Sequence, residues 1–460
     1  MINKKIIENV IEAALSTGGD FAEIFIEDKK GIGINMISGK TENIMSGRDY
    51  GIGIRIFKDF NSVYAYTNKS DESTLIQTAK KASKALLGEN IISRSLINNM
   101  KIEQNHKIEI KPSEIPTKKK IEAMRRAYES AKGFDDIISQ VTVNYQDYNQ
   151  KIAVANSEGI YVEDERTRTR LAIGAVATKD GEMQSGSSSP GAQQGFEFIE
   201  NLDLEWHGKE AARIAKTMVE ADYSPSGKMP VIIHNGFGGV IFHEACGHGL
   251  EATSVAKNNS VFAEKIGEKV ASDIVTAVDD GTIPNEWGSS NIDDEGNPTQ
   301  KNILIENGIL KGYMIDKLNG RRMNMEPTGS SRRQSYKYPP TSRMTNTFIA
   351  SGKSNFDEII SSTEKGLFAK YMGGGSVNPA TGEFNFAVME GYLVENGKII
   401  KPVRGATLIG KGINILKKID MVGDNLSFGQ GMCGSSSGSV PANVGQPTIR
   451  VSEITVGGRE

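Results

Sequence analysis

The sequence predicts an α+β protein of two domains, and three observations support this class. Several short segments alternate apolar and polar residues, as the half-buried strands of antiparallel sheets do. A few longer segments instead place apolar residues at helical spacing. Glycine accounts for 50 of the 460 residues, above the usual share of about 7%, and its even spread favours many tight connections.

The sequence of the N-terminal half predicts an antiparallel sheet with helices. The first helix is expected over residues 2–17, where isoleucine, valine and leucine share one face. Further helices are predicted over residues 72–87, 118–132 and 207–221. Strands are predicted over residues 22–26, 31–36, 51–57, 62–67, 137–145, 151–155 and 171–178. The serine-rich stretch 184–191 has no period and predicts a mobile loop.

A turn-forming run at residues 223–227 marks the expected domain boundary. We therefore predict an N-terminal α+β domain over residues 1–224 and a β-rich C-terminal domain over residues 225–460. The second domain begins with a short buried strand at residues 229–234. A turn at Asn235-Gly236 and a helix follow, and the end of the chain, residues 367–456, is rich in predicted strands.

That helix carries the most informative stretch of the chain, His243-Glu244-Ala245-Cys246-Gly247-His248. Two imidazoles on one short element can hold a zinc ion, and a carboxylate beside the first can deprotonate a metal-bound water. The alternative is that His243 and His248 are unrelated polar residues in a glycine-rich segment. Only five histidines occur in the chain, which makes the clustering informative.

The spacing of the two histidines differs by one residue from the H-E-x-x-H motif of metalloproteases. On a regular helix, residues five apart are separated by about 140° and cannot share an ion. A π-type turn would bring the two imidazoles into line, and the glycines flanking His248 tolerate the irregular backbone. The sequence thus predicts a distorted helix that carries a metal.

A catalytic zinc ion usually takes a third protein ligand, and the chain has two cysteines. Cys433 lies in a loop of small residues, where it is either a thiolate ligand or an inert buried thiol. Cys246, between the two histidines, is expected to be a small buried residue.

Several separated segments resemble the TldD/PmbA metalloprotease family, and specifically its metal-bearing, TldD-type branch. They are His243–Glu251, Asp279–Pro284, Asp293–Gly296, Arg332–Tyr336, Arg343–Thr347, Gly373–Gly375, residues 379–384, Gly431–Gly434 and Gly445–Thr448. The resemblance is dense from about residue 225 onward and diffuse before it. Two departures, Ala252-Thr253 and Ser435–Ser437, replace residues usual in the family without touching a proposed ligand.

The resemblance implies a zinc ion held by His243, His248 and Cys433, with Glu244 as the general base acting on the metal-bound water. It also implies a peptidase for small, unfolded or leader-type peptides, acting as a homodimer or as a heterodimer with a TldE/PmbA-like sister subunit. The alternative function is that of a non-catalytic or regulatory subunit of such a complex, which acts by binding proteins.

Other residues are candidates for supporting roles. Stabilisation of the reaction's oxyanion is predicted for Arg332, Arg333, Tyr336 or Arg343. Glu251 is predicted to orient a ligand histidine, although it fits equally well as a helix-surface carboxylate.

Composition excludes other classes of function. A net charge of −3 offers no electrostatic basis for binding nucleic acid. No apolar run approaches the length of a membrane span. Two widely separated cysteines are no disulfide framework, and the charged N-terminus is unlike a signal peptide, so we expect a cytoplasmic protein.

Overall fold

Long antiparallel strands dominate the N-terminal half of the computed structural model, which describes residues 2–86, 96–378 and 380–459. The helices of this half are α1 (Lys4–Leu15), α2 (Glu72–Ser83), α3 (Thr117–Lys132), α4 (Glu197–Asn201) and α5 (Leu204–Glu220). The strands are β1 (Phe21–Ile37), β2 (Lys40–Lys58), β3 (Asn61–Thr67), β4 (Asn98–Asn99), β5 (Ile138–Asn156), β6 (Ile160–Lys179), β7 (Glu182–Ser188), β8 (Gly191–Ala192) and β9 (Asp222–Tyr223).

Eight of these strands form one sheet in the order β3-β2-β1-β5-β6-β4, with β7 and β8 also paired to β6. The predicted strands 22–26 and 31–36 are wrong as separate elements, because both lie on the single strand β1. The charged residues between them, Asp28–Lys30, interrupt the apolar alternation but continue the ladder opposite Arg48–Tyr50. Segments 137–145 and 151–155 merge in the same way into β5. Of the predicted helix 72–87, Leu87 lies outside the described residues.

The prediction of a mobile loop at residues 184–191 is also wrong. Strand β7 occupies most of this stretch and pairs with β6 from Ile173↔Ser188 to Lys179↔Glu182. Helix α5 packs directly on it, since a Cβ atom at Gly186 would lie only 2.2 Å from the Ala211 carbonyl oxygen. Small side chains therefore serve close packing here, and they leave no apolar period in the sequence.

The C-terminal half is rich in strands, as predicted. Its helices are α6 (Val240–Ala245), α7 (Ala252–Val255), α8 (Lys317–Met323), α9 (Phe356–Ser361) and α10 (Gly412–Lys417). Its strands are β10 (Gly227–Ile233), β11 (Ala277–Asp280), β12 (Lys301–Glu306), β13 (Ile309–Leu310), β14 (Ser331–Arg332), β15 (Thr341–Ser342), β16 (Asn346–Ile349), β17 (Lys365–Asn378), β18 (Glu383–Glu395), β19 (Lys398–Arg404), β20 (Thr407–Lys411), β21 (Ile419–Val422), β22 (Ser427–Ser435), β23 (Gly438–Gln446) and β24 (Ile449–Gly457).

Two sheets of this half enclose helix α6. Strands β17, β10, β24, β20 and β18 pair in that order, and β18 pairs back to β17, so the five close a ring. A second sheet has the order β13-β12-β11-β16-β23-β22. Ile241, Phe242 and Ala245 of α6 are buried in one core with residues of both sheets, such as Val231 and Ile349. The α+β class is thus confirmed. The short helix α6 is packed between the two sheets.

The two halves of the chain are joined by a buried network of charges. Arg55 of β2 lies 2.6 Å from Glu23 of β1 and 2.5 Å from Glu295 of the C-terminal half. Arg333 lies 2.6 Å from the second oxygen of Glu23. All four side chains are almost inaccessible to solvent.

The division of the chain at residue 224 stays a prediction. Among the described residues, no helix is long and apolar enough to cross a bilayer.

Replacing Arg55 by methionine should lower the free energy of unfolding by about 3–5 kcal/mol, because it leaves Glu23 and Glu295 buried with too little positive charge. The loss is measured by urea denaturation. The matched control is Arg48→Met on the same strand, whose partner Asp28 is partly exposed, and it should change the stability little. Equal losses in the two variants would contradict the importance of the buried network.

Candidate metal centre

The first two candidate ligands lie on a helix that is broken between them. Helix α6 ends at Ala245, and Cys246 leaves helical geometry with φ −128° and ψ −46°. A 3₁₀ turn over Gly247–Leu250 follows. The predicted π-type turn is therefore wrong, because a helix break and a second short helix bring the imidazoles together. The ring centroids of His243 and His248 lie 5.4 Å apart.

Close packing fixes this break. A Cβ atom at Gly247 would lie 2.3 Å from the sulfur of Met344, so the segment after the break sits directly against that side chain. Cys246 is buried in the surrounding apolar core, and burial raises the pKa of its thiol. Cys246 thus occupies the core, as the sequence predicted, away from the imidazole nitrogens.

The third candidate ligand comes from strand β22, where Cys433 is paired with Val440 of β23. Its Sγ lies 3.2 Å from His243 Nε2 and 3.4 Å from His248 Nε2. The ligand atoms of the three residues all lie within 4.8 Å of one another. The structure therefore brings together the three residues predicted to hold the metal.

The geometry of this triad fits a zinc ion. Zinc–nitrogen bonds of about 2.0–2.1 Å and a zinc–sulfur bond of about 2.3 Å, at tetrahedral angles, place nitrogen and sulfur about 3.6 Å apart. The two nitrogen–sulfur distances here, 3.2 and 3.4 Å, are close to that value. His243 and Cys433 are buried and His248 is partly accessible, so the triad has one side open to solvent. Three protein ligands with one open position are typical of catalytic zinc sites.

The neighbouring imidazoles change the pKa of the Cys433 thiol. Burial alone raises the pKa of Cys433, but the charge and hydrogen bonds of His243 and His248 outweigh it and lower this pKa to about 3. Burial lowers the pKa of His248, whereas the nearby carboxylate of Glu251 and the Cys433 sulfur raise it well above its usual value. These contacts favour the thiolate form of Cys433, which is the form that binds a metal ion.

Two carboxylates adjoin the triad in different ways. Glu244 is partly exposed on the open side, with Oε2 3.5 Å from His248 Nε2. Glu251 is buried, and its Oε2 lies 3.2 Å from His248 Nδ1, the nitrogen that faces away from Cys433. This contact is compatible with the predicted role of Glu251 in orienting a ligand imidazole, which stays a prediction.

Arg343 contacts the residues that carry and surround the triad. Its side chain is fully buried, and it donates hydrogen bonds to the carbonyl oxygens of Cys433 and Gly438 and to the Ser437 hydroxyl. Its Nε lies 3.7 Å from the Glu251 carboxylate. One guanidinium therefore links the strand that carries the thiol to the carboxylate behind His248.

The other oxyanion candidates are held by contacts elsewhere. Arg332 donates to the carbonyl oxygen of Met344, and Arg333 is paired with Glu23. The backbone N–H of Tyr336 donates to Glu27, and its ring packs against Gly51 of β2. Among the described contacts none of these three side chains touches the triad, so their role at an oxyanion stays a prediction.

Three residues where the two halves of the chain meet were absent from the sequence-based predictions. Lys29, Tyr148 and Arg168 face the loop that carries Arg332 and line one cavity with it. The alternating arginines of β6, at positions 166, 168 and 170, were the available signal, because a period of two places them on one face of the sheet.

Comparison with known proteins gives the family. Models of three PmbA/TldA metallopeptidase domains, domain 1, the central domain and the C-terminal domain, match residues 22–86, 110–219 and 226–458. The chain belongs to the PmbA/TldD metallopeptidase family. This membership confirms the predicted resemblance and the prediction of an enzyme of the metallopeptidase class.

Relatives within the PmbA/TldD family span nearly all of the chain. A metalloprotease TldD homolog of Haemophilus influenzae is 41% identical over 89% of this chain and 87% of its own length. A metalloprotease of Methanocaldococcus jannaschii is 34% identical over 98% of this chain and 99% of its own. The crystal structure of TldE from Thermococcus kodakarensis has the same fold, with a TM-score of 0.78 at 20% identity, covering 98% of this chain and 100% of that one.

Replacing Cys433 by alanine should abolish stoichiometric metal binding, because it removes one of the three converging ligands. Metal content is measured by elemental analysis after dialysis against a metal buffer. Cys246→Ala is the matched control, since this second buried thiol contacts no imidazole nitrogen in the described contacts, and it should keep a full complement. Loss of metal in both variants, or in neither, would contradict the assignment of Cys433.

Replacing Glu251 by glutamine should weaken metal affinity by about 10–100-fold while leaving the stoichiometry at saturation unchanged, because the imidazole loses its anionic partner. Competition with a chromogenic chelator measures the affinity. The control is Glu268→Gln, at an exposed position. An unchanged affinity for Glu251→Gln would show that this carboxylate does not act through His248.

Proposed function

We propose that this chain is a zinc-dependent peptidase that hydrolyses small, unfolded or leader-type peptides. The observation that carries the proposal is the convergence of His243 Nε2, His248 Nε2 and the Cys433 thiolate beside the partly exposed carboxylate of Glu244. Two imidazoles and a thiolate favour zinc over the harder cations magnesium and calcium.

The protein residues divide the chemistry between them. When bound, zinc supplies Lewis acidity, which polarises the peptide carbonyl and lowers the pKa of a water molecule. Glu244 accepts the proton of the attacking water and then gives it to the leaving amine nitrogen. Glu251 holds the ring of His248 through Nδ1, and Arg343 holds the carbonyl oxygen of Cys433. The ligand geometry is thereby fixed before substrate arrives.

Access to the triad supports an unfolded substrate. The side chain of His248 is only 13% exposed and that of Glu244 is 31% exposed, while the other two ligands are buried. An extended peptide can bring a carbonyl group to a site with so little accessible surface more easily than a folded protein can. Small or unfolded peptides are therefore the proposed substrates.

A paired assembly belongs to the proposal as well. The chain is proposed to pair with itself or with a TldE/PmbA-like sister subunit in the cytoplasm, and it shares the fold of TldE. The alternative function, a non-catalytic or regulatory subunit, is disfavoured because such a subunit has no need for a complete ligand set with an adjacent general base.

Replacing Glu244 by glutamine should lower the rate of peptide hydrolysis by about 10²–10⁴-fold, because the amide cannot accept the proton of water. Cleavage of an unstructured peptide is followed by mass spectrometry, with metal content measured in parallel. The variant should retain metal, since Glu244 is not one of the three ligands.

Glu264→Gln, at a carboxylate outside the triad, is the control and should cleave at the normal rate. Full activity of Glu244→Gln with bound metal would contradict the assignment of the general base. A wild-type chain that binds zinc but cleaves no peptide, alone or with a sister subunit, would favour the regulatory alternative.

A further inference from the structure

A cavity of about 220 Å³ lies between the N-terminal sheet and the β22–β23 hairpin. On the side of the sheet it is lined by side chains of β1, β5 and β6. On the opposite side it is lined by Arg332–Gln334 and by Met432 and Ser439–Pro441 of the hairpin. Side chains alternate along a strand, so Met432 and Cys433 point to opposite faces of the hairpin. The cavity is therefore separated from the metal centre by the thickness of one hairpin.

The lining of this cavity is strongly cationic. Five cations, Lys29, Arg166, Arg168, Arg332 and Arg333, face a single carboxylate, that of Asp294. Two of the five are neutralised by carboxylates, since Arg166 pairs with Asp164 and Asp294, and Arg333 pairs with Glu23.

Arg168 and Arg332 have no such counter-ion. Arg168 donates to the carbonyl oxygens of Trp287 and Ser289 at 2.9 and 2.6 Å, and Arg332 donates to that of Met344 at 2.6 Å. The two residues are 2% and 6% exposed. Neither makes an ion pair with any carboxylate in the part of the chain that is described. Buried arginines are normally paired, because an isolated charge is costly to remove from water.

Lys29 adds a third positive charge without a carboxylate partner among the described ion pairs. Its Nζ lies 3.9 Å from the ring centroid of Tyr148, which also lines the cavity. Burial alone would raise the pKa of Tyr148, yet Arg168 and Lys29 lower it below its usual value. Burial, assisted by Arg168, lowers the pKa of Arg332 to about 9. Both shifts reflect an excess of positive charge around the cavity.

We propose that this cavity binds an oxyanion, a carboxylate or a phosphate group, through Arg168, Arg332 and Lys29. The planar guanidinium groups suit bidentate contacts with such oxygens. The anion supplies the charge that the two buried arginines lack, and the volume of the cavity accommodates it. Since the walls come from both halves of the chain, bound anion fixes the β22–β23 hairpin against the N-terminal sheet. The group is either a free anion or a carboxylate carried by a peptide.

The first test is the thermal unfolding of the zinc-loaded full chain in low-salt Tris buffer, with added phosphate or acetate compared with sodium chloride at the same ionic strength. A saturable rise in Tm of about 2–5 °C beyond that in chloride is expected for the wild type. Arg332→Gln and Arg168→Gln should lose this rise. In anion-free buffer Arg332→Gln should unfold at or above the wild-type Tm, because it removes an uncompensated buried charge.

An arginine with a purely structural role gives the opposite result, a lowered Tm in every buffer. Should the arginine variants fail to fold, Lys29→Gln replaces a half-buried residue at the rim, and it should weaken anion affinity by at least about threefold. Lys30→Gln, at the exposed neighbouring position, is the matched control and should bind like the wild type. The proposal is overturned if no anion raises Tm more than chloride does, or if the wild type and the variants respond equally.

A second experiment distinguishes a free anion from a peptide carboxylate. It uses the Glu244→Gln variant, which should not cleave the peptide during the measurement. A short peptide with a free C-terminal carboxylate is compared by calorimetry with the same peptide bearing a C-terminal amide. Binding of the carboxylate form at least about tenfold tighter, and its displacement by phosphate, assigns the cavity to a peptide carboxylate. Equal binding of both peptides with retained phosphate binding assigns it to a free anion. Because the readouts are Tm and affinity, the outcome does not depend on peptidase activity.

Discussion

The buried guanidinium of Arg343 is the contact that links the elements carrying the candidate metal ligands. It holds the carbonyl oxygen of Cys433 and the end of the β22–β23 turn, and it faces the carboxylate that bonds to His248. Arginine suits the position because its five donors lie in a fixed plane and can meet several acceptors at once.

Charge is also what joins the two halves of the molecule. The loop around residues 293–296 sends Asp294 to Arg166 and Glu295 to Arg55, both on strands of the N-terminal sheet. These carboxylates are paired with arginines deep inside the protein. Such pairs add little net stability but are costly to break singly, so they specify how the halves dock. The C-terminal half is thereby held in one orientation on the N-terminal sheet.

The sequence predicted which residues converge better than it predicted the backbone that positions them. The cluster of His243, Glu244 and His248 is local, so its chemistry can be read directly from the motif. The helix break at Cys246 depends on the contact of Gly247 with Met344, about a hundred residues away in sequence, and no local pattern reveals it. Cys433 became a ligand candidate from residue type and family resemblance, and its distance from the imidazoles required the fold.

The difference between local patterns and distant contacts also explains the wrong strand predictions in the N-terminal half. The sequence analysis divided strand β1 in two because Asp28–Lys30, in the middle of the strand, are charged. These residues continue the backbone ladder with β2, but their side chains are partly or fully exposed. Strand β7 was missed because its packing uses glycine and serine. The burial of Arg332 and Arg333 in the C-terminal half could not be predicted either, since burial of a charged side chain depends on partners that lie far away in the sequence.

The distance along the chain between the ligands has a thermodynamic consequence. His243 and Cys433 are 190 residues apart in sequence, yet their ligand atoms lie 3.2 Å from each other. A cation held by both is a reversible crosslink that closes a very long loop, and such closures restrict the unfolded ensemble in the way that a disulfide does. Binding of a metal by these residues would therefore require that the strand-rich end of the chain has folded onto the helix, and it would couple the proposed chemistry to completion of the fold.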